Sequence, residues 1–321
     1  MIEEDRAASI ADALRIVSTP TSRWKKEGGW GEEWFPWFRG EPHAKERTAL
    51  RPKLYRPSGM SRTGRLHLEQ ELRIEFRRCA VPVVQRPPND HWEWYFLMEH
   101  YGVPTRLLDW TDGVLVALYF ALRHRGVNND QSGESDAAVY MLDPWALNEI
   151  TFRNDEREGV ALADWPQAKK YLAKDELNSE RLDARLPLAI DPTHLASRVA
   201  AQRSRFTLFG KELEGLKNAD DESKKPLLAK IPIDGKACRK IKAELKTCGV
   251  SESTVFPDLE GLGRELRWWW ATQCPLEPQL VPTGNQLLAL LRRKLQMPTQ
   301  SAEKVLDKVV KSLKKAPDFR R

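Results

Sequence analysis

The sequence predicts an α+β domain, with a mixed, split central sheet flanked by helices and a helical extension at its C-terminal end. Three observations predict it. Ala137–Leu142 (AAVYML) is an uninterrupted apolar run closed by Asp143-Pro144, the pattern of a buried strand. The aromatic run Trp34–Arg39 ends at Gly40 and reads as a second strand of the same core. Apolar residues recur at helical spacing over 64–80 and again over 112–125, so helices must cover that sheet.

Taken in order, residues 1–20 read as an amphipathic helix carrying Ile10, Leu14 and Val17, stopped by Pro20. Residues 26–31 form a turn. In the strand that follows, Pro36 implies an edge position or a bulge, because it has no N–H for a neighbouring strand. The helix over 64–80 places Leu68, Leu72, Phe76 and Ala80 on one stripe. After a Pro-rich break comes a helix over His91–His100, then a Gly-Val-Pro turn and a short strand, Thr105–Trp110. Thr111 or Asp112 is a natural N-cap for the apolar helix over 112–125. Residues 128–136 form a polar loop, and 145–187 read as mostly helical. Arg205–Phe209 and Leu228–Ile233 are strands, and Lys236–Cys248 is a Lys-rich helix closed by Gly249. Two amphipathic helices over 284–315 break at Pro298. The expected core is Leu107, Leu108, Leu118, Phe120, Val139 and Met141.

The bulk numbers restrict the function. The chain has 321 residues, 41% hydrophobic and 31% charged, which is a globular composition. No run of eighteen apolar residues and no apolar signal core are present, so a cytoplasmic protein without a membrane span is expected. The four cysteines form no CxxC pair, which fits reduced thiols and no structural zinc. No P-loop, GxGxxG, HExxH or GxSxG motif occurs, and no metal is expected. The net charge of +6 permits, without requiring, a nucleotide or nucleic-acid partner.

Three constellations remain. Arg39, at a strand end before Gly40, is a bidentate cation suited to a phosphate or carboxylate. The block MEHYGVPTRLLDWTDGVLVALYFA sets Tyr101, Thr105, Arg106, Asp109, Trp110 and Thr111 into or beside an apolar strand. Either Asp109 pairs with Arg39 or Arg106 to fix the fold, or these groups line a pocket: Thr and Asp for ribose hydroxyls, Trp110 or Tyr101 for a ring. Arg198 and Gln202 lie one helical turn apart before a strand, where Gln202 would serve a ligand or the backbone. Because an unpartnered charge in an apolar element is costly, Arg39, Arg106, Asp109 and Gln202 are expected to meet in one cleft.

These segments carry a resemblance. Trp37-Phe38-Arg39-Gly40, LRPKLYR at 50–56, HYGVPTRLLDWT with its ALYFA helix, AVYMLDP, RVAAQRSRFTLF and FPDLEGL resemble the FRG domain, named for its Phe-Arg-Gly motif. Glu99 departs from that pattern, which has Gln before His-Tyr-Gly. The resemblance covers about 34–265 and divides the chain into an N-terminal helix and turn (1–30), the domain (31–265) and a C-terminal helical extension (266–321). The order Phe38-Arg39-Gly40, Trp110-Thr111, Ala117–Ala121 is also similar to arginine-type ADP-ribosyltransferases, whose fold is a split sheet. That similarity implies NAD as substrate, with Arg39 and Gln202 as catalytic groups and Tyr101, Thr105, Arg106, Asp109, Trp110 and Thr111 binding the ligand. No counterpart of those enzymes' late-strand catalytic Glu is evident. Two functions follow: ADP-ribosyl transfer or NAD hydrolysis, with a phage-defence role implied by where FRG domains occur, or a non-catalytic module that senses a nucleotide, nucleic acid or protein. The Lys-rich C-terminal helices are the expected contact for a nucleic-acid or protein acceptor.

Overall fold

Two apolar strands with both faces covered set the centre of the molecule. In a computed structural model, β4 (Ala137–Leu142) has all six residues buried. It pairs antiparallel with β7 (Leu228–Ile233) through six residue pairs, from Ala137↔Ile233 to Leu142↔Leu228. On its other side it pairs with β2 (Trp37–Glu41) through five. The structure describes residues 1–84, 87–123, 135–153, 159–172, 184–192, 201–273 and Lys304. The remaining strands are β1 (Ile2–Glu3), β3 (Leu107–Thr111), β5 (Leu188–Ile190) and β6 (Ser204–Leu208). The seven strands follow the order β1-β7-β4-β2-β3-β6-β5, and only β1 on β7 is parallel, so the sheet is mixed.

The sheet is split. β3 and β6 share five residue pairs, but β2 and β3 share only Phe38↔Thr111. Beyond that pair the strands part, leaving blocks of four and three strands joined at one point.

Helices cover both faces. α1 (Ile10–Gly28) and α4 (Val114–Leu122) close one face over Phe38, Val139, Met141 and Ile231. The other face packs Trp37, Tyr140, Leu142, Leu108 and Trp110 against Leu147 of α5 (Pro144–Phe152) and Leu216 of α6 (Gly215–Glu222). α2 (Arg62–Ala80) and α3 (His91–His100) lie beside β3, with Tyr95, Phe96 and Met98 packed near Leu107 and Phe206. The later helices are α7 (Cys238–Thr247), α8 (Glu252–Val255) and α9 (Leu259–Gln273). The chain divides into a unit from Met1 to Glu265 and a second from Leu266 to Arg321. The helices expected over 284–315 lie, apart from Lys304, outside the described residues.

Several expectations change. α1 passes through Pro20 instead of stopping there, and ends at Gly29 in the left-handed conformation (φ 69°). Burial of Ile10, Ala13, Ile16 and Trp24 on the core offsets the backbone bond that Pro20 forgoes. Strand β2 is interior, neither an edge strand nor bulged at Pro36, because Pro36 precedes the first paired residue and its missing N–H costs the ladder nothing. α2 buries Arg65, Glu69 and Arg73, while Leu68, Leu72 and Phe76 are only half-buried, so a charged stripe turns inward. α4 begins after Gly113 without a side-chain cap; Asp112 instead pairs with Arg203 and Arg205. After α5 the described part of 145–187 holds only a 3-10 turn, Ala168–Lys170, and a short strand beginning beyond it, at Leu188. Of the expected core, Phe120 alone is half-buried.

Gly40 shows how tightly α4 sits on the sheet. A Cβ there would lie 1.9 Å from the Ala117 carbonyl oxygen and 2.6 Å from the Ala121 nitrogen. Gly40→Ala is expected to lower stability by about 1–3 kcal/mol, because two backbones must separate. A chemical-denaturation midpoint equal to wild type would show that α4 shifts at no cost.

Candidate functional site

The point where β2 and β3 part is filled by charged side chains. Alternation along β2 puts Phe38 and Gly40 against α4, and Trp37, Arg39 and Glu41 on the opposite face. Continuing the Phe38↔Thr111 register would bring Gly40 to Asp109, yet no ladder forms there. The Arg39 side chain spans the gap instead. Its Nε donates to Glu41 Oε1 (3.0 Å) and to the Ala49 carbonyl (3.2 Å), and an NH1 donates to the Asp109 carbonyl (2.8 Å).

The segment from Leu50 to Arg56 straps the same opening. The Leu54 N–H donates to the Thr105 carbonyl (3.3 Å), and the Tyr55 hydroxyl donates to the Gly210 carbonyl (2.7 Å). Its three cations each meet a carboxylate on a different element: Arg51 with Glu214, Lys53 with Glu99 (3.0 Å) and Arg56 with Glu41 (3.4 Å). The sequence reading passed over these cations, because their partners lie 15 to 163 residues away.

Glu99, at the end of α3, is buried. It accepts from Thr105 Oγ1 (2.6 Å) on one oxygen and from Lys53 Nζ on the other. Burial pushes its carboxyl up to about 8, and the Asp109 carboxylate nearby adds to the rise; Lys53 and Thr105 only partly oppose it. Glu99 therefore keeps its proton to higher pH than an ordinary glutamate does. A neutral carboxyl offers one donor and acceptors, as an amide does. The departure from Gln at this position thus changes the residue more than it changes the hydrogen-bonding character. Asp109, by contrast, is exposed. Two carboxyl groups in different surroundings, one buried and one exposed, beside Lys53 and Arg39, are the arrangement from which acid–base chemistry is built.

The structure brings only some of the expected residues together. Arg39 reaches Asp109 through its backbone carbonyl, and Thr105 holds Glu99. Arg106 goes elsewhere: its Nε donates to Glu69 Oε2 (2.8 Å), and its terminal nitrogens donate to the Phe209 (2.9 Å) and Tyr171 (2.6 Å) carbonyls, all buried. Burial disfavours its charge, and Glu69 more than compensates, so the guanidinium is held well above its ordinary value. Trp110 is a core residue whose Nε1 donates to Thr207 Oγ1 (3.0 Å). Tyr101 caps α3 and is 65% exposed, against the ring of His100. Thr111 Oγ1 donates to the Gln202 carbonyl (2.7 Å). The Gln202 amide donates to the Val255 carbonyl (3.3 Å), at the opposite end of β3 from Glu99. The expected single cleft is therefore divided, because Arg106 found Glu69 and Gln202 found α8. Arg198 lies outside the described residues.

Two cavities lie away from the split. One of about 760 Å³ is lined by Thr151, Gln167, Tyr171 and Arg185, and one of about 500 Å³ by His91, Trp92, Asp164 and Asp191. Among the described residues no group of three His, Cys, Asp or Glu side chains is placed to hold a metal ion. Nor is any described helix long and apolar enough to cross a membrane.

No curated protein and no solved structure matches the chain. One family model does, and the matched residues run from Pro36 to Asp130, taking in both strands at the split, the strap and α2 to α4. That model describes the FRG domain, to which residues 36–130 are similar.

Proposed function

We propose that the split between β2 and β3 takes NAD as substrate and that the chain transfers its ADP-ribose to an acceptor or hydrolyses it. The observation that carries this reading is the Glu99–Asp109 pair, one carboxyl buried with its proton held to about pH 8 and the other exposed at the opening. Lys53, with 44% of its side chain exposed, and Arg56 are the cations nearest the solvent for a diphosphate; Arg39 stands behind them. Tyr101 is the exposed ring beside Glu99 in sequence and the candidate to cover the nicotinamide. The C1′–N bond would break with its electron pair going to the nicotinamide nitrogen. The Asp109 carboxylate would stabilise the oxocarbenium-like centre and take the proton of the attacking acceptor or water.

A second reading, a non-catalytic nucleotide sensor, draws on the Arg39 guanidinium being satisfied within the protein and on the Gln202 amide being bound to Val255. Incubation with NAD labelled on its adenylate, with nicotinamide release followed in parallel, separates them. Asp109→Asn is expected to lower turnover by about 10²–10³ with an unchanged melting curve. Saturable NAD binding without turnover, weakened by Lys53→Ala, would favour the sensor. Absence of both turnover and binding would overturn both readings.

A further inference from the structure

Away from the split, α7 and the 3-10 turn before it carry a second feature. Cys238, Ile241 and Leu245 face the core, which leaves Lys236, Arg239, Lys240, Ala243, Lys246 and Thr247 exposed. These positions recur at intervals of three and four, so the four cations form one column along the helix. Among the described residues, the Lys236 ammonium and the Arg239 guanidinium meet no carboxylate. The acidic groups nearby are engaged. Glu244 accepts from the Ile10 N–H (2.8 Å) and lies 3.8 Å from Lys240, while Asp12 accepts from Ser9 Oγ (2.8 Å) and the Ala8 N–H (3.2 Å).

We infer that this column is a contact face for the phosphate backbone of a nucleic acid. From Lys236 to Lys246 it extends about 15 Å at 1.5 Å per residue. At about 3.4 Å of axis per phosphate of one strand, that length overlaps roughly four phosphates, and Lys236 and Arg239 would lead the contact, since Lys240 and Lys246 also face Glu244 and Glu265. A lipid surface is the poorer fit, because an interfacial helix inserts its apolar face, and here Ile241 and Leu245 are buried in the core. The residues between the cations on the solvent side, Ala243 and Thr247, are small, so the cations stand clear of their neighbours for phosphate contact.

The test uses the full chain and a fluorescently labelled 20-base-pair DNA or 20-nucleotide RNA, with anisotropy followed from about 50 to 200 mM salt. The wild-type plot of log K against log salt should have a slope of about −3 to −4. Lys236→Ala/Arg239→Ala/Lys240→Ala removes three exposed cations. It should weaken binding at least about tenfold and make the slope shallower by about 2 to 3, with an unchanged circular dichroism melt. Equal affinity and slope in the variant, or no wild-type binding at low salt, would overturn the inference. So would tighter binding to phosphatidylserine vesicles than to either nucleic acid. None of these outcomes depends on whether NAD is bound or cleaved.

Discussion

Glu69→Ala is expected to cost about 3–5 kcal/mol of stability. Glu69 and Arg106 are both buried, with side chains about 5% exposed, and their contact is 2.8 Å. Glu69 also accepts from the Arg106 N–H (3.1 Å) and from the Tyr95 hydroxyl. Removing it leaves a guanidinium held between the Phe209 and Tyr171 carbonyls with no countercharge. Denaturant unfolding of the variant measures the loss. Glu69→Leu/Arg106→Met is the control: removing both charges leaves nothing unpaired, so much of the stability should return. A loss below about 1 kcal/mol in Glu69→Ala would mean that water reaches Arg106 and that the site is not sealed.

Glu99→Gln should act in the opposite direction, and increasingly as pH rises above about 4.5. In the unfolded chain Glu99 loses its proton near the ordinary value of 4.5, whereas in the folded chain burial and Asp109 hold the proton to about 8. The stability this carboxyl contributes is fully present below pH 4.5. It declines as pH rises from there and is gone above about 8. Over the whole window the change amounts to several kcal/mol, with roughly 5 as its upper bound. Gln keeps the acceptor for Thr105 and never ionises. The variant should therefore equal wild type near pH 4 and exceed it near pH 8.5. Unfolding midpoints at the two values, taken as variant minus wild type, isolate this group from the other carboxylates. A difference that does not change with pH would show that Lys53 holds Glu99 ionised throughout.

The two predictions concern residues that the sequence treated very unequally. Arg106 stood out, because a charge inside Thr-Arg-Leu-Leu-Asp-Trp must find a partner. Which partner was open, and Glu69 lies 37 positions earlier, on a helix read only for its apolar stripe. The helical stripe of Leu68, Leu72 and Phe76 does pack against the core, but it shares the inner side of α2 with charged residues. Apolar spacing sees only hydrophobic burial, whereas the stripe of Arg65, Glu69 and Arg73 goes inward because its charges find a carbonyl, a guanidinium and a ring. Lys53 and Glu99 were opaque for the same reason: their contact spans 46 residues.

By itself the sequence determined the elements that one property decides. A continuous apolar run gave β4 residue for residue, since a strand covered on both faces has no polar alternation to blur its ends, and β7 keeps its expected bounds although Lys230 and Pro232 interrupt it. Gly249, in the left-handed conformation at φ 78°, marked the end of α7 because few other residues rest there. The residues of the FRG match were legible as a block. The tertiary structure alone decided how charges were shared out. It gave Arg39 to Glu41 and the Asp109 carbonyl, Arg106 to Glu69, and Gln202 to Val255, and it left Asp109 exposed beside a buried Glu99. Burial is set locally by residue type and period, but the energy of an ion pair depends on which distant segment arrives and how much water it excludes. That is fixed only when the two blocks of the sheet meet at Phe38 and Thr111.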